Sequence, residues 1–357
     1  MRRYIRRTDL TDAERTKLDF VVGVHGPLMK EVALATRAFI GSYNRTHSRR
    51  ICGGHPSLGR DDPNFKDISL IEDPAKLPDV IGATCFGEFF GRQFLDRYAR
   101  TGFFEPVDYP APPIPLFEGV DLVDPTGSFH VFGGCAFEML VDTRKLEGRP
   151  VPHTWADLLD PRYRDMVVCG FNVDDINEYF LLYYYRFFGA EGLAAFAENL
   201  AAPVDTLDMM RTSLRTRNRH AILLLPHFFA VGAPQEDYLV HVWPDDGALL
   251  APYALLAHNT SDQRVRDIVG FFLGHEFASA LDGTDLPTMP GKKSFHIYSR
   301  GLDPVYETRR FKWLGWDWVM ERDIVETMRT IDGIVTPIVL RKHPELRSDI
   351  GRALWNG

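Results

Sequence analysis
Three residues that leave apolar runs carry groups able to coordinate a soft metal: His25, Cys85 and His227. Imidazole and thiolate suit such an ion where a fold brings them to one point. A second set suits an organic cation. Asp174 and Asp175, with Asn172 beside them, fall in a polar turn at 171–175, where a helix begins. A carboxylate there either caps the helix or, facing a ligand, favours a cation. Phe86, Phe228, Phe229 and Trp243 supply aromatic faces that attract cations, and rings of this kind serve equally well as core. Cys52-Gly-Gly-His55 is a single CxxH without a partner pair and reads as loop. His275-Glu276 begins like a zinc-protease helix, but Ser279 stands where the second histidine belongs. No GxSxG, GxxxxGK[ST] or GxGxxG occurs. With no assembled nucleophile, base or metal set, the residues read as a binding protein, with no catalytic group and no cofactor.

The elements that must position these residues alternate. An apolar run at 20–24 leads through His25-Gly26-Pro27 to a helical spacing of Leu28, Val32, Ala35 and Phe39. Residues 78–82 repeat the pattern, turning at 84–87 into a helix with Phe90, Phe94 and Tyr98. Residues 166–170 do so again, followed by Ile176, Tyr179, Phe180, Tyr183 and Phe187 on one helical face. Helical segments are expected at 190–200 and 206–218, and strands at 221–225 and 238–243. Strands alternating with helices imply an α/β fold with open, mostly parallel sheets. Two long apolar runs, 129–141 and 246–257, read as crossovers between two units. In such sheets ligands sit beyond the carboxyl ends of strands, where the turns at 25–26, 84–87, 171–175 and 226–229 all fall.

The chain has 357 residues, enough for roughly two domains. Its net charge of −8 and short, scattered Arg pairs exclude a nucleic-acid surface. No run approaches the roughly 20 apolar residues of a membrane span. Arg2, Arg3, Arg6 and Arg7 open the chain without an apolar stretch after them. The four cysteines form no disulfide framework. On these grounds the chain as written is expected in the cytoplasm, with the periplasm as the alternative.

The segment Pro152-His153-Thr154-Trp155-Ala156-Asp157-Leu158-Leu159-Asp160-Pro161-Arg162-Tyr163 resembles the P-x-T-W-x-D-L-x-D-P-x-Y element of type 2 periplasmic solute-binding proteins of ABC transporters, in their ferric-, thiamine- and polyamine-binding-like branch. Asp245-Asp246-Gly247-Ala248 with Pro252 is similar to that family's return element, which adds Asp246 to the ligand candidates. Residues 189–200 and 265–281 resemble two of its helices. The resemblance implies a two-lobe fold with an interdomain cleft: lobe one from 20–130 and 250–297, lobe two from 131–249 and 298–357, and a lead-in at 1–19. It implies a monomer that closes on a small-molecule or metal-containing solute and hands it to an ABC permease. An intracellular sensor or solute chaperone, and an enzyme on the same fold, are the alternatives. The ferric branch carries two adjacent tyrosines where this chain has Pro226-His227-Phe228-Phe229, so ferric iron held by a phenolate pair is not expected. Tyr183-Tyr184-Tyr185 lies in an amphipathic helix and reads as core.

Overall fold
Every residue from His130 to Asp142 is buried, and so is every residue from Ala248 to Ala257. A strand covered on both faces reads as a largely apolar run, and both segments do, although β4 also buries His130, Glu138 and Asp142. They form the two longest strands described, β4 (His130–Asp142) and β8 (Ala248–Ala257), and pair antiparallel from His130 with Leu255 to Phe137 with Leu249. A computed structural model of the chain describes residues 11–24, 28–56, 63–84, 86–169, 180–201, 218–282 and 294–344.

Around this pair the other strands assemble one mixed sheet. β1 (Phe20–Val22), β2 (Gly53–Gly54) and β3 (Val80–Thr84) run parallel to one another. β5 (Val167–Cys169) and β6 (Ile222–Pro226) form a second parallel pair. β7 (Leu239–Val242) and β9 (Phe295–His296) join β4, and β10 (Phe311–Lys312) joins β8. The order is β2-β1-β3-β8-β4-β6-β5.

Register gives this order its meaning. β3 runs antiparallel to β8, and its last residue, Thr84, lies opposite Tyr253. β6 runs antiparallel to β4, and its last residue, Pro226, lies opposite Phe137, itself the partner of Leu249. The two parallel groups therefore point their carboxyl ends at each other across residues 249–253 of β8. Gly133 and Gly134 sit in the facing stretch of β4, where backbones crowd. A Cβ on Gly133 would lie 2.6 Å from the Phe295 carbonyl oxygen, and one on Gly134 would lie 2.4 Å from a Leu250 methyl.

The helices pack apolar stripes on the sheet. α1 (Met29–Thr46) buries Met29, Val32, Ala33, Thr36 and Tyr43. The helix expected after β3 is short: α2 (Arg92–Phe94) passes into a wider π turn at Leu95–Ala99. α3 (Phe180–Asn199) kinks at Gly189, whose φ of 66° lies in the left-handed region that glycine tolerates. α4 (His227–Val231) follows β6 directly. α5 (Gln263–Phe272) and α6 (His275–Asp282) follow β8, and Asp262 caps α5. α7 (Trp316–Met320) and α8 (Ile324–Lys342) come last. α8 buries Ile324, Met328, Ile331, Val335 and Val339 and packs on α3. Arg264, 4% exposed, joins Asp19 and Asp79 at the starts of β1 and β3, so one guanidinium ties α5 to both strands. The segment expected as a helix at 206–218 lies almost wholly outside the described residues.

Candidate functional site
The strand ends that converge on residues 249–253 are where a ligand would sit. On the β1–β3 side, the backbone exits are held close. A Cβ on Gly23 would fall 2.3 Å from the Thr84 hydroxyl oxygen. That hydroxyl is buried and has no hydrogen-bond partner. Just before it, the Val22 carbonyl accepts from His55 Nδ1 at 2.6 Å, and His55 Nε2 lies 2.8 Å from the Thr36 hydroxyl. The carbonyl can only accept, so Nδ1 donates there; in the neutral ring Nε2 then accepts from the Thr36 hydroxyl. Burial lowers its pKa to about 4, against the pull of the Val22 carbonyl. With both nitrogens engaged, His55 has no lone pair for a metal shared with Cys52, in keeping with the loop reading of that pair. Among the described residues no group of three or more His, Cys, Asp or Glu is placed to hold a metal ion. His25 and Cys85 lie outside the described residues.

Phe86 follows β3 and is buried. It stacks on Trp313 at 5.8 Å and meets Phe90 and Tyr183 edge-on. The Trp313 indole N–H is buried without an acceptor. Nothing in the sequence singled out Trp313, which sits some 230 positions from its stacking partner. Tyr183 donates its hydroxyl to the Leu250 carbonyl, and Tyr184 donates to the Trp155 carbonyl at 3.2 Å. Burial holds the Tyr184 phenol well above its usual range. These are protonated core phenols, as the helix spacing implied.

On the β6 side, Pro226 ends the strand and His227 opens α4. The His227 side chain turns into the protein. Its Nδ1 lies 3.2 Å from Glu138 Oε1, and its Nε2 lies 2.8 Å from the Tyr306 hydroxyl. A second imidazole, His241, approaches the same Glu138 oxygen at 3.7 Å. Burial pushes the Glu138 carboxyl up, while His227 and then His241 pull it down. The pull wins, and the group sits below the ordinary carboxylate value. Burial pushes the Tyr306 phenol up to about 12. Trp243 closes this nest, 5.9 Å from His227, and Arg309 lies 4.9 Å over both the Trp243 and Tyr306 rings.

The structure thus brings His227 and Trp243 together and gathers Phe86 with Trp313. The Phe228 and Phe229 rings lie 4.7 Å apart, tilted by 54°. Asp246 stands apart from both groups. It accepts from the Trp155 backbone N–H at 3.2 Å and from Lys312 Nζ at 3.0 Å, which pins the approach to β8. Asn172, Asp174 and Asp175 lie outside the described residues. Glu138, Tyr306, Thr84 and Trp313 were not among the expected residues. For Glu138 a signal existed: it is the one charge in the apolar run at 129–141.

This arrangement has many counterparts in solved proteins. The chain superposes on apo ferric ion-binding protein A of Pasteurella haemolytica with a TM-score of 0.61 at 11% identity, covering 89% of this chain and 98% of that one. It superposes on the periplasmic binding protein P5PA with a TM-score of 0.57 at 15% identity, covering 90% and 100%. The periplasmic binding protein AfuA of Actinobacillus pleuropneumoniae, bound to fructose-6-phosphate, gives 0.56 at 13% identity, covering 90% and 99%. A search of curated protein sequences finds no match. These likenesses establish the two-lobe α/β fold. A family model described as bacterial extracellular solute-binding protein matches residues 75–322. That description overturns the expectation of a cytoplasmic protein. The cysteine pattern behind that expectation carries no such information; Cys135, for one, is enclosed in β4. With more than half of its length matched, the chain belongs to the family of bacterial extracellular solute-binding proteins, the solute-capturing components of transporters.

Proposed function
We propose that this protein captures a small cationic or metal-containing solute between its two halves and delivers it to an ABC-type permease. It acts as a monomer, by binding and without catalysis. One observation carries the reading: the parallel strands of the two halves end face to face over residues 249–253. Among the described residues β4 and β8 are the long strands that run through that point, so bending them opens and closes the gap. On this reading lobe one is 20–130 with 250–297, and lobe two is 131–249 with 298–357.

The chemistry around the gap favours a cation. Phe86 and Trp313 give an aromatic floor, and the Glu138 carboxylate lies behind His227. In sequence, Asn172, Asp174 and Asp175 follow β5 and are proposed as polar ligands. A net charge of −8 opposes a bare anion. Among the neighbours are ferric ion-binding proteins and one with a bound sugar phosphate. A phenolate pair is absent at 226–229 here, and Tyr183 and Tyr184 are spent on carbonyls. Iron held by paired phenolates therefore does not fit.

Native mass spectrometry of the purified protein tests the proposal. A co-purifying cationic or metal-bearing small molecule is expected. Asp174→Asn with Asp175→Asn should weaken its binding by about 1.5–3 kcal/mol, the worth of hydrogen bonds to a charged group. Addition of ferric citrate should give no visible phenolate-to-iron band. A strong band lost on substituting Tyr183 or Tyr184, or unchanged affinity in the double aspartate variant, would overturn the assignment.

A further inference from the structure
Residues 304–320 run from lobe two onto lobe one. Their first part is fixed to lobe two. The Tyr306 hydroxyl lies 2.8 Å from His227 Nε2, where β6 gives way to α4. The Trp243 indole N–H donates to the Arg310 carbonyl at 3.0 Å, and β10 then joins β8 at Ala248 and Leu249. Beyond β10 the partners change. Gly315 turns the chain with a φ of 85°, a conformation that glycine adopts freely, and α7 follows on lobe one. Trp316 packs on Phe90 at 6.3 Å and on Phe129 at 5.7 Å. Its indole N–H donates to the Asp121 carbonyl at 2.7 Å, and Arg100 donates to the Met320 carbonyl. Trp316 is 2% exposed, so these contacts are dry. The chain then returns to lobe two, where Lys342 at the end of α8 donates to the Glu198 carbonyl at 2.6 Å.

A second grip on lobe one lies beside β10. Arg310 Nη2 donates to Glu118 Oε2 at 2.5 Å, and both side chains are largely in solvent, at 40% and 70% exposed. The next residue, Phe311, meets the Phe117 ring edge-on at 5.0 Å. One segment anchored in lobe two thus holds lobe one in two ways, through a buried indole and through a surface ion pair backed by two phenyl rings.

We propose that residues 304–320 are a strap that holds the two lobes closed when no solute is bound. The strap rests on the reading above, in which the lobes move about β4 and β8. Parting the lobes pulls Glu118 from Arg310 and Phe90 and Phe129 from Trp316, and the rings so exposed favour closure again. A closed, empty molecule admits no solute. The strap therefore sets the fraction of molecules open to capture, and with it the apparent affinity.

Small-angle X-ray scattering of the full chain tests this, on protein as purified and on protein stripped of solute by unfolding, dialysis and refolding. Wild type should keep its compact radius of gyration in both samples. Glu118→Arg breaks the surface pair and should raise the open-to-closed ratio of the stripped protein by about twofold to fivefold, read as an expanded radius. Adding Arg310→Glu restores the pair with its charges exchanged and should return the compact radius. Trp316→Phe keeps a ring but loses the hydrogen bond to Asp121, and should raise the ratio by about fivefold. If that variant fails to fold, the surface pair still reads the strap. Stripped wild type that expands, with Glu118→Arg no larger, would overturn the strap and leave the closing lobes standing. An expansion that Arg310→Glu does not reverse would also sink it. A radius constant across every sample would mean that the lobes do not part, and the closure reading would fall with the strap.

Discussion

His55 and His227 are buried alike, at 3% and 2% exposed, yet their surroundings are opposite. His55 sits between β1 and α1 among neutral partners, one carbonyl and one hydroxyl. His227 sits at the end of β6 against the Glu138 carboxylate, with a phenol behind it. Burial by itself drives an imidazole to the neutral form. Burial beside a carboxylate gives each group an electrostatic partner, and removing one leaves the other buried and uncompensated. The same residue type thus locks backbone in one half and organises charge in the other.

The sharpest way to break the comparison is at Glu138. Glu138→Ala leaves His227 and His241 facing an emptied buried site, and stability should fall by about 3–5 kcal/mol in urea unfolding at neutral pH. A loss under 1 kcal/mol would mean that the pair is not charged. The carboxyl's folded pKa lies below its ordinary 4.5. Its contribution is therefore complete above about pH 4.5 and drains away as pH falls through the lower folded value.

His55 should act in a different pH window. Its folded pKa is about 4 against 6.5 when unfolded. The unfolded chain binds the proton first, so stability is complete above 6.5 and falls as pH drops toward 4. The loss amounts to about 3 kcal/mol. His296 has the same low value of about 4, with one ring nitrogen on the Phe272 carbonyl and the other taking the Tyr298 N–H. Unfolding free energies of wild type and His55→Gln, taken at pH 7 and pH 4, should differ in slope by that amount. Parallel curves would show that His55 is not neutral in the fold. The smallest effect is expected for Tyr306→Phe, which deletes one hydrogen bond to His227 and should cost about 1 kcal/mol. No measurable change there would remove the phenol from the network.

Much of the framework is written locally in the chain. The runs at 129–141 and 246–257 could be read as long strands because nothing polar interrupts them for long. Of the three tyrosines of α3 read as core, Tyr183 and Tyr184 are buried and Tyr185 is half-buried. The kink at Gly189 matches the break expected between two helical segments. The site is harder to read, since its parts meet only after folding. Glu138, His227, His241 and Tyr306 come from four separate segments. Trp313 meets Phe86 across most of the chain length. No local pattern records such meetings, and only a misfit, like one acid in an apolar strand, betrays them. The cytoplasmic expectation, which rests on the basic start and the cysteine pattern, is overturned by the family match.

The pairing of β3 with β8 also dictates when this protein can fold. Val80 pairs with Ala257, so the sheet edge of one half is completed by a strand 177 positions later. At the usual 5–20 residues per second, the early strands wait on the order of 10–35 s after synthesis for their partner. Through that interval β1 and β3 have only each other and the two-residue β2, too little sheet to be stable alone. A nascent chain of this design stays unfolded, and accessible to chaperones, until β8 emerges. It then gains both halves nearly together, since the same β8 supplies the partner for β4.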